Sequence, residues 1–264
     1  MKRRLWVLWM MLFLGLGPQG LRAAAADAPA DRAVVVAVRA EKPPVMDGTL
    51  NDPVWEKAQA YPLELPLDRR DDRFSPRNPG KVRFAWDDEH FYLGVEFDDD
   101  DITSYMDADG EHLYNFGDLA ELFIGPEDNT WYWELYVTPL DRQSVLFIPG
   151  RGMLLTPPED MDLPTPRTMI RKDLRLETAA KADGTINDWR DADKGWTAVM
   201  AVPVSLLTSM GDKWGPDGKW LAFVGRYDYS RYADEPGPEY SGHPVLKKTN
   251  YHRVNDYARL VFSE

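Results

Sequence analysis

The chain contains no cysteine in 264 residues. That excludes a disulfide framework, a lipid-modified N-terminal cysteine, a thiolate nucleophile and covalently attached c-type haem. Histidine is scarce, at four (His90, His112, His243 and His252), and none is paired in an HExxH spacing, so a zinc-hydrolase helix is excluded. There is no GxSxG elbow and no glycine loop of the phosphate-binding kind. Carboxylates are so numerous that some pair always falls at glycosidase separation. The chain therefore reads as non-catalytic.

Positive charge is also in deficit, with 31 Lys and Arg against 44 Asp and Glu. The N-terminus is the exception. Lys2-Arg3-Arg4 precedes the apolar run Leu5 to Leu16, and Ala23 to Ala26 offers small-residue cleavage sites. The apolar run is far short of the roughly twenty residues a spanning helix needs, so the pattern reads as a signal peptide over residues 1–26. The expected location is periplasmic or secreted. Removing that segment takes away four basic and no acidic residues, moving the formal charge from −13 to −17. So acidic a surface repels nucleic acid and anionic lipid and welcomes divalent cations.

What remains, 27–264, reads as a single all-β domain. Val82, Phe84 and Trp86 alternate with Arg83 and Ala85, and Asp87 to His90 form a turn. Phe91, Leu93, Val95 and Phe97 then restart the alternation, a β-hairpin. Further strands are expected at 33–39, 117–125, 131–139, 143–148, 168–180, 195–204, 220–229 and 257–262. Asp52 and Pro53 open a short helix anchored by Trp55, and 204–207 forms one helical turn. Residues 66–80 and the Pro-rich 149–168 read as loops. Short strands at regular spacing with few helices specify a jelly-roll-like β-sandwich.

Five segments in this order resemble the family 9 carbohydrate-binding modules and the family-9-like exported bacterial proteins. They are VMDGTLNDPVWEKA (45–58), VRFAWDDEHFYLGVEFDDDDI (82–102), GDLAELFIGPEDNTWYWELYVTPLD (117–141), DGTINDWRDADKGWTAVMAVPVSLL (183–207) and NYHRVNDYARLVF (250–262). The resemblance implies a β-sandwich, non-catalytic binding of sugar between aromatic rings, and structural calcium. It places a sugar-binding acid at Glu121. At the positions matching Glu134 and Tyr136, family members carry basic or amide side chains that contact the ligand. Where those members carry two Trp residues this chain has Asn115, flanked by Tyr114 and Phe116, and Tyr251, followed by His252.

The candidate ligand-binding set is therefore Tyr114, Phe116, Glu121, Glu134, Tyr136, Tyr251 and His252, with the rings stacking on a pyranose face and the carboxylates accepting from hydroxyls. Asp98, Asp100 and Asp101 are candidate calcium ligands, although four adjacent aspartates cannot all face one ion. Trp55, Trp86 and the Trp131–Trp133–Leu135 face read as core. Two other readings stand beside sugar binding. One is a structural or protein-interaction domain on the same scaffold with the sugar site lost. The other is b-type haem held by a Met and a His.

Overall fold

Alternation in the sequence becomes opposite faces of strands in the computed structural model, which describes residues 32–70, 73–150, 169–170, 176–233 and 236–264. In chain order the strands are β1 (Val34–Arg39), β2 (Tyr61–Pro62), β3 (Gly80–Trp86), β4 (His90–Asp98), β5 (Leu119–Pro126), β6 (Tyr132–Val137), β7 (Gln143–Ile148), β8 (Met169–Ile170), β9 (Glu177–Asp183), β10 (Gly195–Pro203), β11 (Trp220–Asp228), β12 (Glu239–His243) and β13 (Ala258–Ser263). The two helices are α1 (Pro53–Lys57) and α2 (Val204–Leu207). Among the described residues no helix is long and apolar enough to cross a membrane.

Hydrogen bonding runs through the strands in the order β8-β7-β6-β5-β11-β13-β1-β3-β4-β10-β9, with β12 beside β11 and β2 beside β3. The two halves of this ribbon, joined where β1 runs parallel to both β13 and β3, face each other as an all-β sandwich. Phe84, Leu93 and Met200 from one half meet Leu122, Trp133, Leu135 and Val224 from the other. Trp86 and Trp133 lie in that layer, as their alternation requires. The hairpin has the register Val82↔Val95 and Phe84↔Leu93.

Both outer faces are covered as well. On the β3–β4–β10 half, Val54 and Trp55 of α1, with Ala58 just after it, pack on Ala85, Tyr92 and Val199. Asp52 precedes that helix without a side-chain cap; its carboxylate instead accepts the Val45 N–H at 3.0 Å. On the other half, Leu246, Tyr251, Val254 and Tyr257 cover the faces of β5, β6 and β11. That explains why every residue of β5 is buried, where one solvated face would have been expected of an antiparallel strand. Residues 149–168, read as a loop, lie outside the described residues apart from 149 and 150. The strands β2 and β12 were not expected, since each is short and lacks alternation.

Candidate functional site: the tyrosine-covered face and the aromatic cleft

The resemblance directs attention first to the outer face of β5 and β6. Glu121 lies on β5 opposite Tyr136 of β6 and Gly225 of β11. It is 2% exposed, and its Oε2 has no hydrogen-bond partner. Burial first, and the Glu134 carboxylate second, push its pKa well above the usual range. Tyr136, fully buried, donates its hydroxyl hydrogen to Glu134 Oε1. From Glu134 the polar string runs outward to half-buried His252, whose Nδ1 lies 3.9 Å from Glu134 Oε2 and 2.9 Å from the Tyr132 hydroxyl. Burial lowers the His252 pKa, opposed by Glu134, so the ring is neutral at pH 7.

Tyr251 is 5% exposed and closes this face rather than opening it. Its ring lies against Gly225, where any Cβ would strike it. Its hydroxyl sits 2.7 Å from both the Arg226 and the Ser241 carbonyl oxygens, and Phe223, Tyr227 and Tyr240 surround the ring. Neither face of Tyr251 is available for the pyranose stacking the resemblance implies. The physical reason is the glycine opposite it. Gly225 leaves a hollow in β11 that an aromatic ring fills at a gain of buried apolar area.

The 114–116 segment divides. Tyr114 turns toward the covered face, its ring 6.0 Å from that of Tyr227, and its carbonyl accepts the Tyr229 hydroxyl at 2.7 Å. Phe116 turns the other way, 39% exposed, into a cleft of about 680 Å³. Two rings not singled out from the sequence line the same cleft: Tyr105, 68% exposed, and Trp189, 74% exposed. The backbone sets Tyr105 beside Phe116 through the Tyr105 N–H to Phe116 C=O bond of 2.7 Å and the Ser104↔Gly117 bridge. Gly117 is required at that crossing: its φ is +130°, and a Cβ would stand 2.8 Å from the Ser104 Cα.

Trp189 is held by its loop. Asn187, two residues earlier, accepts the Ser104 N–H at 2.8 Å and donates to the Ser104 carbonyl at 2.6 Å. Among the described residues, the charged side chains lining the cleft are already matched. Arg231 Nη1 donates to Asp101 Oδ1 at 2.8 Å, and its other nitrogen meets the Asp191 carbonyl and the Tyr232 hydroxyl. What remains unmatched is neutral: Thr103 Oγ1, in a residue only 8% exposed, has no hydrogen-bond partner. Trp189 carried a legible signal, a lone Trp among turn-forming polar residues with no alternation around it.

Beneath the cleft lies a buried acidic cluster. Asp99, Asp118 and Asp228 come from the ends of three strands, and their carboxylates offer oxygens all within 4.8 Å of one another. Arg226, 0% exposed, is their neutralising partner, with Nη2 3.0 Å from Asp99 and 3.5 Å from Asp228. Burial raises the pKa of all three, that of Asp228 to about 6. For calcium, the expected ligands do not converge. Asp98 is exposed, Asp100 is paired with Arg77, and Asp101 is spent on Arg231. The donor set that suits a hard cation is instead Asp99, Asp118 and Asp228, where Asp228 Oδ1 is buried without a hydrogen-bond partner.

The fold that carries this cleft is a CBM9-like all-β sandwich. Neither a family profile nor a curated protein matches the sequence. Solved structures do match. A candidate carbohydrate-binding protein from Bacteroides uniformis is 11% identical with a TM-score of 0.67, over 88% of this chain and all of that one. A family 9 carbohydrate-binding module from Caldicellulosiruptor kristjanssonii, in complex with cellotriose, is 13% identical with a TM-score of 0.54, over 88% of this chain and 94% of its own. The same module in complex with glucose matches at a TM-score of 0.53 and 13% identity, over 88% of this chain and 96% of its own.

Proposed function

We propose that this protein is an exported, non-catalytic carbohydrate-binding module whose ligand lies in the cleft of Tyr105, Phe116 and Trp189. The observation that carries this reading is the exposure of those three rings around one cleft, on a fold whose solved neighbours hold cellotriose and glucose. Exposed aromatic rings are costly to leave in water and suit the C–H face of a pyranose. The N-terminal pattern of 1–26 supports export to the periplasm or beyond. The acidic balance argues against nucleic acid as partner. A calcium ion held by Asp99, Asp118 and Asp228 would neutralise carboxylates that Arg226 alone does not, and would tie together the strand ends that carry the cleft.

The competing reading, a structural or protein-interaction domain on the same scaffold, draws on the burial of Tyr251 and Tyr136 where the resemblance places sugar contacts. A glycan array probed with the mature protein separates the two. Binding to a glycan, lost in Trp189→Ala and kept in Tyr251→Phe, is the expected result. No binding to any plant or microbial glycan, with or without calcium, would overturn the proposal.

A further inference from the structure

We infer that the turn 250–254 is a proton-linked latch, closed over the outer face of β5 and β6 while the Glu121–Glu134 pair keeps a proton and released as that proton leaves. The inference concerns the covered face alone and is independent of the carbohydrate reading of the cleft. It stands on what lies beneath the turn, on how the turn is held, and on the sign of the titration.

Beneath the turn, Glu121 and Glu134 are 2% and 5% exposed, and Glu121 Oε2 has no hydrogen-bond partner. Glu121 faces the Glu134 carboxyl and the Tyr136 hydroxyl, both from β6. Around it stand Tyr227 of β11, Tyr240 of β12 and Tyr251 of the turn, and His252 faces Glu134 at 3.9 Å. Arg69 reaches Tyr240 but not Glu121. Two ionised carboxylates walled by neutral phenols and a neutral imidazole have no cation to offset their desolvation.

The turn is held to this face by bonds between neutral groups. The Tyr251 hydroxyl lies 2.7 Å from the Arg226 and Ser241 carbonyl oxygens, and His252 Nδ1 lies 2.9 Å from the Tyr132 hydroxyl. None of these neutralises a carboxylate. On either side the chain is tied elsewhere. The Asp68 carboxylate accepts the Thr249 N–H at 2.8 Å, and Arg32 Nη1 donates to the Tyr257 carbonyl at 2.8 Å. The turn can therefore lift between fixed ends.

Burial and the Glu134 carboxylate raise the Glu121 pKa while the turn is closed, against an ordinary 4.5. Each pH unit above that value favours opening by up to about tenfold, until the raised value is passed. His252 works in the opposite direction. Burial lowers its pKa from 6.5, opposed by Glu134, so its protonation favours opening as pH falls below 6.5. Above about pH 6.5 the carboxyl acts alone. Burial raises Tyr136, Tyr227, Tyr240 and Tyr251 above their ordinary 10, so all four keep their protons across this range. The latch is closed at mildly acid pH and loosens toward alkaline pH.

The chain has no cysteine, so Val254→Cys supplies a single thiol at a position only 6% exposed. A thiol reagent reaches it through opening of the turn. Its labelling rate between pH 6.5 and pH 9, divided by that of the unfolded chain at the same pH, should rise by up to about tenfold per unit. The rise should be insensitive to urea at concentrations too low to unfold the protein. Adding Glu121→Gln should leave the ratio flat across the same range. The infrared spectrum of the parent should show a protonated carboxyl band at pH 6.5 that fades as the pH rises, a measurement that decides the matter if either variant fails to fold. A ratio independent of pH, or an equal rise with Glu121→Gln, would overturn the latch. So would a urea dependence matching global unfolding, or absence of the carboxyl band at pH 6.5.

Discussion

At the scale of single residues, Glu121 is a strongly perturbed carboxyl on the covered face. Its folded-state pKa lies well above the ordinary 4.5, so the folded chain keeps a proton that the unfolded chain releases. Stability should therefore fall as pH rises above about 4.5, by up to about 1.4 kcal/mol per pH unit until the raised value is passed. Glu121→Gln keeps the shape and cannot ionise. Denaturant unfolding at pH 5 and pH 8 should show a smaller pH difference in this variant than in the parent. An equal difference would mean that Glu121 ionises freely. Gly225 offers a second check of the same layer. A methyl group there collides with the Tyr251 ring across the sheet surface, so Gly225→Ala should cost about 1–3 kcal/mol through overpacking, read as a lower unfolding midpoint.

At the scale of elements, two attachments hold the cleft in shape. The Asn187 amide pins the loop bearing Trp189 to the Ser104 backbone through two hydrogen bonds, and its φ of +64° is one that Asn tolerates better than most residues. Asn187→Ala should raise amide exchange across 185–191 and weaken ligand binding, while the β3–β4 core keeps its protection. Arg226 is the second attachment. Fully buried on β11, it joins Asp99 from the end of β4 to the Asn78 carbonyl at 3.0 Å, with Phe97 beneath its guanidinium. Arg226→Met leaves three buried carboxylates without their cation and should cost about 3–5 kcal/mol.

At the scale of the whole molecule, the calcium site proposed at the buried Asp cluster predicts a stability that responds to divalent cations. Calcium at millimolar concentration should raise the melting temperature of the parent and not that of Asp118→Asn, and a chelator should reverse the shift. Equal shifts in both would place any calcium effect at the general acidic surface. Two apolar outer layers, one under α1 and one under the 246–257 segment, thicken the sandwich beyond its inner core. Each adds burial that the strand pattern did not advertise.

Much of this was legible in the order of residues, because a strand's two faces are written in every second position. The hairpin 82–97, the Trp133–Leu135 core face, the short helix anchored by Trp55 and the sandwich class all follow from periodicity and turn composition. Composition also carries the acidic charge balance. The site depended on tertiary structure, because its parts are brought together from distant segments. Whether Tyr251 offers a ring to solvent depends on Gly225, 26 positions before it. Whether Phe116 has partners depends on Tyr105 and Trp189 arriving from separate loops. Asp99, Asp118 and Asp228 are unremarkable singly and form a cluster only when the ends of β4, β5 and β11 meet. Periodicity records which side of a strand a residue takes, whereas only the folded chain settles what waits on that side.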